Sequence, residues 1–140
     1  MNTRILIAAF AGAVIYFLLG WLIYGILIVD FFAAHSMMQY YVGLEKMPPN
    51  LIGIFVSGFA FCLLLAVIFG NWANISTLKN GAMAGTAIGL LIGLYVDLSL
   101  YSTLNLYGRQ VVVVDVLLNA LFGAIIGAVI AWILGYKKSV

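Results

Sequence analysis

Four long stretches without a charged side chain restrict this chain more than any other feature. Ile5–Val29, Met47–Leu78, Asn80–Val96 and Val116–Tyr136 run for 25, 32, 17 and 21 residues with no Asp, Glu, Lys or Arg. An α-helix of about 20 apolar residues crosses the hydrocarbon core of a bilayer. Inside lipid only helices and closed barrels satisfy every backbone group. Charged residues make up 7% of the chain, against roughly 25% in a soluble domain, too few to coat a globule in water. The expected fold is therefore all-α: an integral membrane four-helix bundle filling residues 1–140 as one domain. A large water-facing catalytic domain is excluded. The first run exceeds the 7–15 apolar residues of a signal peptide, and it reads as a retained span.

Local signals divide the chain into spans at Ile5–Val29, Leu51–Phe69, Gly81–Leu100 and Val111–Leu134. Pro48-Pro49-Asn50 marks the start of the second, because proline suits a helix entrance and not its interior. Gly70-Asn71-Trp72 reads as a C-cap glycine followed by an interfacial aromatic. The connections Asn71–Asn80 and Tyr101–Gln110 are short, so spans two, three and four are expected as successive antiparallel neighbours. The Asn74-Ile75-Ser76 triplet in the first of these reads as a chance glycosylation pattern. With four spans, Arg4, Lys79, Lys137 and Lys138 share one side, and Lys46 and Arg109 the other. The positive-inside rule then places both termini in the cytoplasm. The loop Asp30–Asn50 lies outside. Its segment Phe31–Gly43, with Phe31, Phe32, Met37, Met38, Tyr40 and Tyr41, reads either as an interfacial helix or as a loop folded over the bundle mouth. Either form makes a lid.

Small residues recur at steps of four, which places them on one helix face. Span three carries Gly81, Gly85, Gly89 and Gly93, continuing to Asp97. Span four carries Asp115, Asn119, Gly123, Gly127, Ala131 and Gly135. Weaker series run through Gly58, Cys62, Ala66 and Gly70 in span two, and through Ala8, Gly12, Tyr16, Gly20 and Tyr24 in span one. Lipid removes the hydrophobic force between helices, so close approach along such Gly-xxx-Gly ridges holds them together. The ridges serve contacts within the bundle, contacts between subunits, or a backbone-lined cavity.

Ionisable residues inside a span point to function unless they are paired. Asp97, near the end of span three, faces an unfavourable helix dipole. Its nearest cation in sequence is Arg109, across a short loop. One reading pairs them in a salt bridge; the other makes Asp97 a binding or proton site. Asp115 stands in the first turn of span four, where a carboxylate caps free amides, and it opens the ridge that carries Asn119. A hydrogen-bonded group of Asp97, Arg109, Asp115 and Asn119 beneath the outer loop is expected. Asp30 and His35 flank that loop on the same side. They show no metal-ligand spacing, so no metal site is expected. The lone Cys62 is a packing residue with no disulfide partner. One histidine outside the spans cannot provide two haem ligands, and no cofactor is expected. No nucleophile–base arrangement is legible, so the chain is not expected to be an enzyme. Its scattered basic residues argue against nucleic acid.

The first span ends in Gly20-Trp21-Leu22-Ile23-Tyr24, followed by the aromatic and methionine-rich loop and three closely spaced spans. The last span includes the glycine-bearing run Leu121-Phe122-Gly123-Ala124-Ile125-Ile126-Gly127-Ala128-Val129-Ile130-Ala131-Trp132. Together these features resemble the small bacterial four-span proteins grouped as DUF1761. The chain departs from them where Gly25-Ile26-Leu27 follows Tyr24 in place of Ser-Pro. That family has no established activity, so the resemblance implies a bacterial inner-membrane location and no reaction. The first expectation for function is a non-catalytic membrane component, assembled with itself or with other subunits in the lipid bilayer through its glycine faces. The alternative is a small transporter or channel-like protein for a proton, cation or small solute, using Asp97 and Asp115.

Overall fold

A computed structural model describes residues 2–37 and 40–136. Met38 of the expected lid, and Lys137 and Lys138 of the charge asymmetry, lie outside the described residues. Within them the chain is all-α, with five α-helices. Helix α1 spans Thr3–Leu22 and continues through a π-helical turn, Ile23–Leu27. The short α2 spans Val29–His35. Helix α3 spans Leu51–Val67 and continues through a second π-helical turn, Ile68–Trp72. Helices α4 and α5 span Leu78–Thr103 and Arg109–Gly135. The four long passes contain 25, 22, 26 and 27 residues and are apolar enough to cross a membrane. At 1.5 Å per residue each covers a hydrocarbon core of about 30 Å.

Polar side chains set the helix starts. Asn2 Oδ1 accepts from the Arg4 amide, Asn50 Oδ1 from Gly53, and Thr77 Oγ1 from Asn80. The Asn50 cap is the start expected after Pro48-Pro49. The expected end at Gly70 is not observed. The helix runs through Gly70 as a π-helical turn, and a side chain there would press on Ile5. The reversal falls instead at Asn74, whose φ is 51°, a left-handed conformation that asparagine tolerates better than most residues. Helix α4 also begins before Gly81 and runs past Leu100.

Helix α5 is the hub. Helices α1 and α3 pack against each other and against α5, enclosing Ala8, Ala9, Cys62, Leu65, Phe69, Phe122, Ile126 and Ile130. Cys62 is fully buried beside Gly12, as a packing residue should be. Helix α4 lies along α5 for its whole length and scarcely meets α3. The expected sequence of neighbours therefore holds for α4 and α5 and fails for α3 and α4. The reason is complementary relief. A Cβ at Gly81, Gly85 or Gly89 would collide with the backbone of Gly127, Gly123 or Asn119, and one at Gly123 or Gly127 would strike Gly85 or Gly81. Only the small ridge of α5 admits that of α4. The preceding connection crosses the end of α5, where Gly135 lies against the Ser76 carbonyl. The glycine faces of α4 and α5 are thus consumed inside the chain and are not free for another subunit.

The other small residues divide. Gly12 admits the Ile130 side chain, and Gly58 seats the ring of Tyr16. Gly20 faces open space, so it does not extend the α1 ridge. Large apolar side chains such as Ile7, Phe10, Leu18, Leu91 and Leu117 stand exposed around the outside. A water-soluble surface rarely carries so many in contiguous patches.

Candidate functional site

The ridges of α4 and α5 change character toward one end. Gly93 meets the Asn119 side chain, with an added Cβ falling 2.9 Å from that of Asn119. One further step brings Asp97 on α4 against Asp115 on α5. The two carboxyls lie within hydrogen-bonding reach of each other across the helix interface. Asn119 Nδ2 donates to the Asp115 carbonyl oxygen at 2.9 Å and to its Oδ2 at 3.4 Å. The Tyr24 hydroxyl, from the π-helical turn after α1, donates to Asp115 Oδ1 at 2.5 Å. Asp115 is therefore well supplied with donors. Asp97 Oδ2 is buried with no hydrogen-bond partner.

Asp97, Asp115 and Asn119 come together as the four-residue ridges imply. Arg109 does not join them. It is exposed, and no ion pair forms between Asp97 and Arg109. Helical phase explains this: Arg109 precedes Val111, a residue of the Asp115 ridge, by two positions, about 200° around the helix at 3.6 residues per turn. The helix-dipole argument fails as well. Because α4 continues to Thr103, Asp97 lies outside the last turn, where the macrodipole acts. Asp115, six residues into α5, is likewise past the first turn and caps nothing there. Asp30 and His35 are exposed on α2, where His35 stacks on Phe31 and its Nδ1 lies 2.9 Å from the Phe31 carbonyl oxygen. Among the described residues no three of His, Cys, Asp and Glu converge as metal ligands.

These groups border a partly open cavity of about 850 Å³, lined mainly by α4 and α5, with Tyr16 and Tyr24 from the first pass, Ile54 from α3, and Val29, Phe32 and Ala33 from α2. Tyr16, Tyr24 and Phe32 supply aromatic walls; Ile54, Ile92, Val96, Val111 and Val112 supply aliphatic ones. Tyr16 and Tyr24 both contact Phe122, at centroid separations of 5.4 and 6.1 Å, and Tyr24 meets Phe32 edge-on. That chain of rings joins the bundle core to the lid.

Part of the outer loop is helical, over Val29–His35, and Val29, Phe32, Ala33, Ser36 and Glu45 from it line the cavity. Backbone bonds tie it to the α4–α5 connection: Gly108 N–H donates to His35 O, and Met37 N–H to Leu106 O. Ser36 and Tyr107 form a single antiparallel bridge between these segments. Burial, then the nearby carboxyls of Asp115, Asp97 and Glu45, hold the Tyr107 phenol above its usual pKa. It contributes no charge to the cavity at neutral pH.

Tyr24, Tyr16, Tyr107, Ser36 and Glu45 are site residues that sequence reasoning missed. For Tyr16 and Tyr24 a signal exists, because both stand on a four-residue ridge with Gly12. For Glu45, in an irregular loop, there is none. Three of the four acidic residues line the cavity, namely Glu45, Asp97 and Asp115, and among the described residues no Lys or Arg does. Comparison of the chain with known protein families, with curated proteins and with solved structures finds no match.

Proposed function

We propose that the chain is a small multi-pass membrane protein that takes a cation into the carboxyl-bearing cavity and passes it across the bilayer without covalent chemistry. The single observation behind this reading is the charge segregation at the cavity: Asp97, Asp115 and Glu45 all line it, and no basic side chain among the described residues does. Two ionised carboxylates about 4 Å apart repel by roughly 4 kcal/mol at an effective dielectric constant of 20. A positive charge held between them relieves that repulsion, and a proton or a cationic solute would do so. The glycine ridges, the other basis for a function, are occupied within the chain. The resemblance to small bacterial four-span proteins adds a bacterial inner-membrane location to the proposal.

Self-assembly is the second reading, in a changed form. Helix α4 packs on α5 alone, leaving Met83, Leu91, Tyr95 and Leu98 exposed. Four helices without an internal repeat seldom enclose a pathway, and a second copy against this face would complete one.

Flux in reconstituted vesicles tests the reading. Vesicles containing the protein should dissipate an imposed cation or proton gradient faster than empty vesicles, and Asp97→Asn with Asp115→Asn should abolish the difference. Wild-type vesicles that behave like those of the double variant, across protons and inorganic and organic cations, would refute it.

A further inference from the structure

We infer that the cavity's occupant is a free organic ammonium ion with an apolar, ring-bearing body, an inference that rests on the cation reading above and narrows it. Size is the first argument. About 850 Å³ falls within the roughly 300–1,000 Å³ of pockets that enclose organic ligands. A water molecule's share of liquid volume is about 30 Å³. A bare ion at the carboxyls would leave most of the space to apolar walls and water.

The second argument is how polarity is sorted. The acceptors Asp97, Asp115 and Asn119 lie together where α4 meets α5, Ser36, Glu45 and Tyr107 line the lid side, and Ile54, Ile92 and Val96 form apolar walls. A molecule with one cationic end and an apolar remainder matches that division. Tyr16, Tyr24 and Phe32 offer ring faces, which attract cations and stack on other rings.

The form of the cation follows from its partners. Asp97 and Asp115 line the cavity with carboxylate acceptors, which an N–H-bearing ammonium can hydrogen-bond and a quaternary one cannot. Calcium takes six to eight oxygen ligands and magnesium demands near-octahedral geometry; among the described residues no three of His, Cys, Asp and Glu converge to begin such a set. A phospholipid amine carries the same ammonium, but its phosphate would approach the carboxyls with no basic residue among the described lining to receive it. A free amine avoids that conflict.

Calorimetric titration of the full chain in phosphatidylcholine nanodiscs tests the inference, with 2-phenylethylammonium, its neutral analogue 2-phenylethanol, and potassium as probes. The amine should bind saturably and at least tenfold more tightly than either comparator, and Asp97→Asn should weaken it at least tenfold. Ile92→Trp, which fills the cavity away from the carboxyls, should weaken the amine similarly while the variant keeps its fold, so the test survives if Asp97→Asn does not fold. Equal binding of the alcohol, or amine binding unmoved by Ile92→Trp, would overturn the inference. Binding of potassium in preference to the amine, lost in Asp97→Asn, would also overturn it while leaving the cation reading intact. Loss of amine binding when phosphatidylethanolamine is included in the nanodiscs would assign the site to a lipid and overturn the free-amine form. Absence of binding by every probe, together with flux unchanged in Asp97→Asn with Asp115→Asn, would overturn both.

Discussion

Tyr24 donates its hydroxyl proton to Asp115 Oδ1 from a π-helical turn, and that bond joins α1 to the α4–α5 pair. A hydrogen bond to a charged group contributes about 1.5–3 kcal/mol. Tyr24→Phe keeps the ring against Phe122 and Phe32 but deletes the donor, so it should lower stability by about 1–3 kcal/mol in detergent unfolding. Asp115→Asn should then cost less in the Tyr24→Phe background than alone. Equal losses in both backgrounds would show that the bond carries no energy. The acidic half of this site is legible in the sequence, because Asp97, Asp115 and Asn119 extend ridges of glycine at steps of four. The tyrosine half is not, since a tyrosine in a span reads equally as an interfacial aromatic. Pairing Arg109 with Asp97 fails for a different reason: nearness in sequence says nothing about helical phase, and phase turns Arg109 away.

Helix α4 is held by backbone contact with α5 and by little else, so single methyl groups should act on it strongly. A Cβ at Gly85 would overlap the Gly123 carbonyl oxygen. Relieving that overlap requires the two helices to separate, and overpacking of this kind costs about 1–3 kcal/mol or more. Gly20 provides the contrast. An added methyl there meets nothing within 4 Å, and alanine is favoured over glycine in a helix by about 1 kcal/mol. Gly85→Ala should therefore lower the midpoint of thermal unfolding and Gly20→Ala should leave it unchanged or raise it. A Gly85→Ala protein as stable as wild type would show that the ridges do not hold these helices. The difference between the two glycines also marks the limit of the pattern. Spacing in fours identifies a candidate face; only the opposing helix decides whether that face is used. The same limit explains the neighbour order, since loop length allows α3 to lie beside α4 but their side-chain relief does not favour it.

At the scale of the whole molecule the charges sort by end. Arg4 and Lys79 stand at the end where α1 and α4 begin, while Lys46 and Arg109 stand at the lid end. In the sequence Lys137 and Lys138 come two and three positions after Gly135, the last residue of α5, and the positive-inside rule counts basic residues close to span ends. On that rule we propose that the lid and cavity lie at the outer face and both termini inside. The arrangement bears on the proposed transport, because an inward-negative potential favours cation movement inward by about 2.3 kcal/mol per charge per 100 mV. A site at the outer end collects its cation before most of that potential has been crossed. Single cysteines in a Cys62→Ser background test the orientation in intact cells. A cysteine at Val42, fully exposed in the outer loop, should react with an impermeant thiol reagent. One at Asn74, in the turn between α3 and α4, should react only after the cells are opened. The reverse pattern would place the carboxyl cavity on the cytoplasmic side, where the same potential would oppose uptake of a cation from that face.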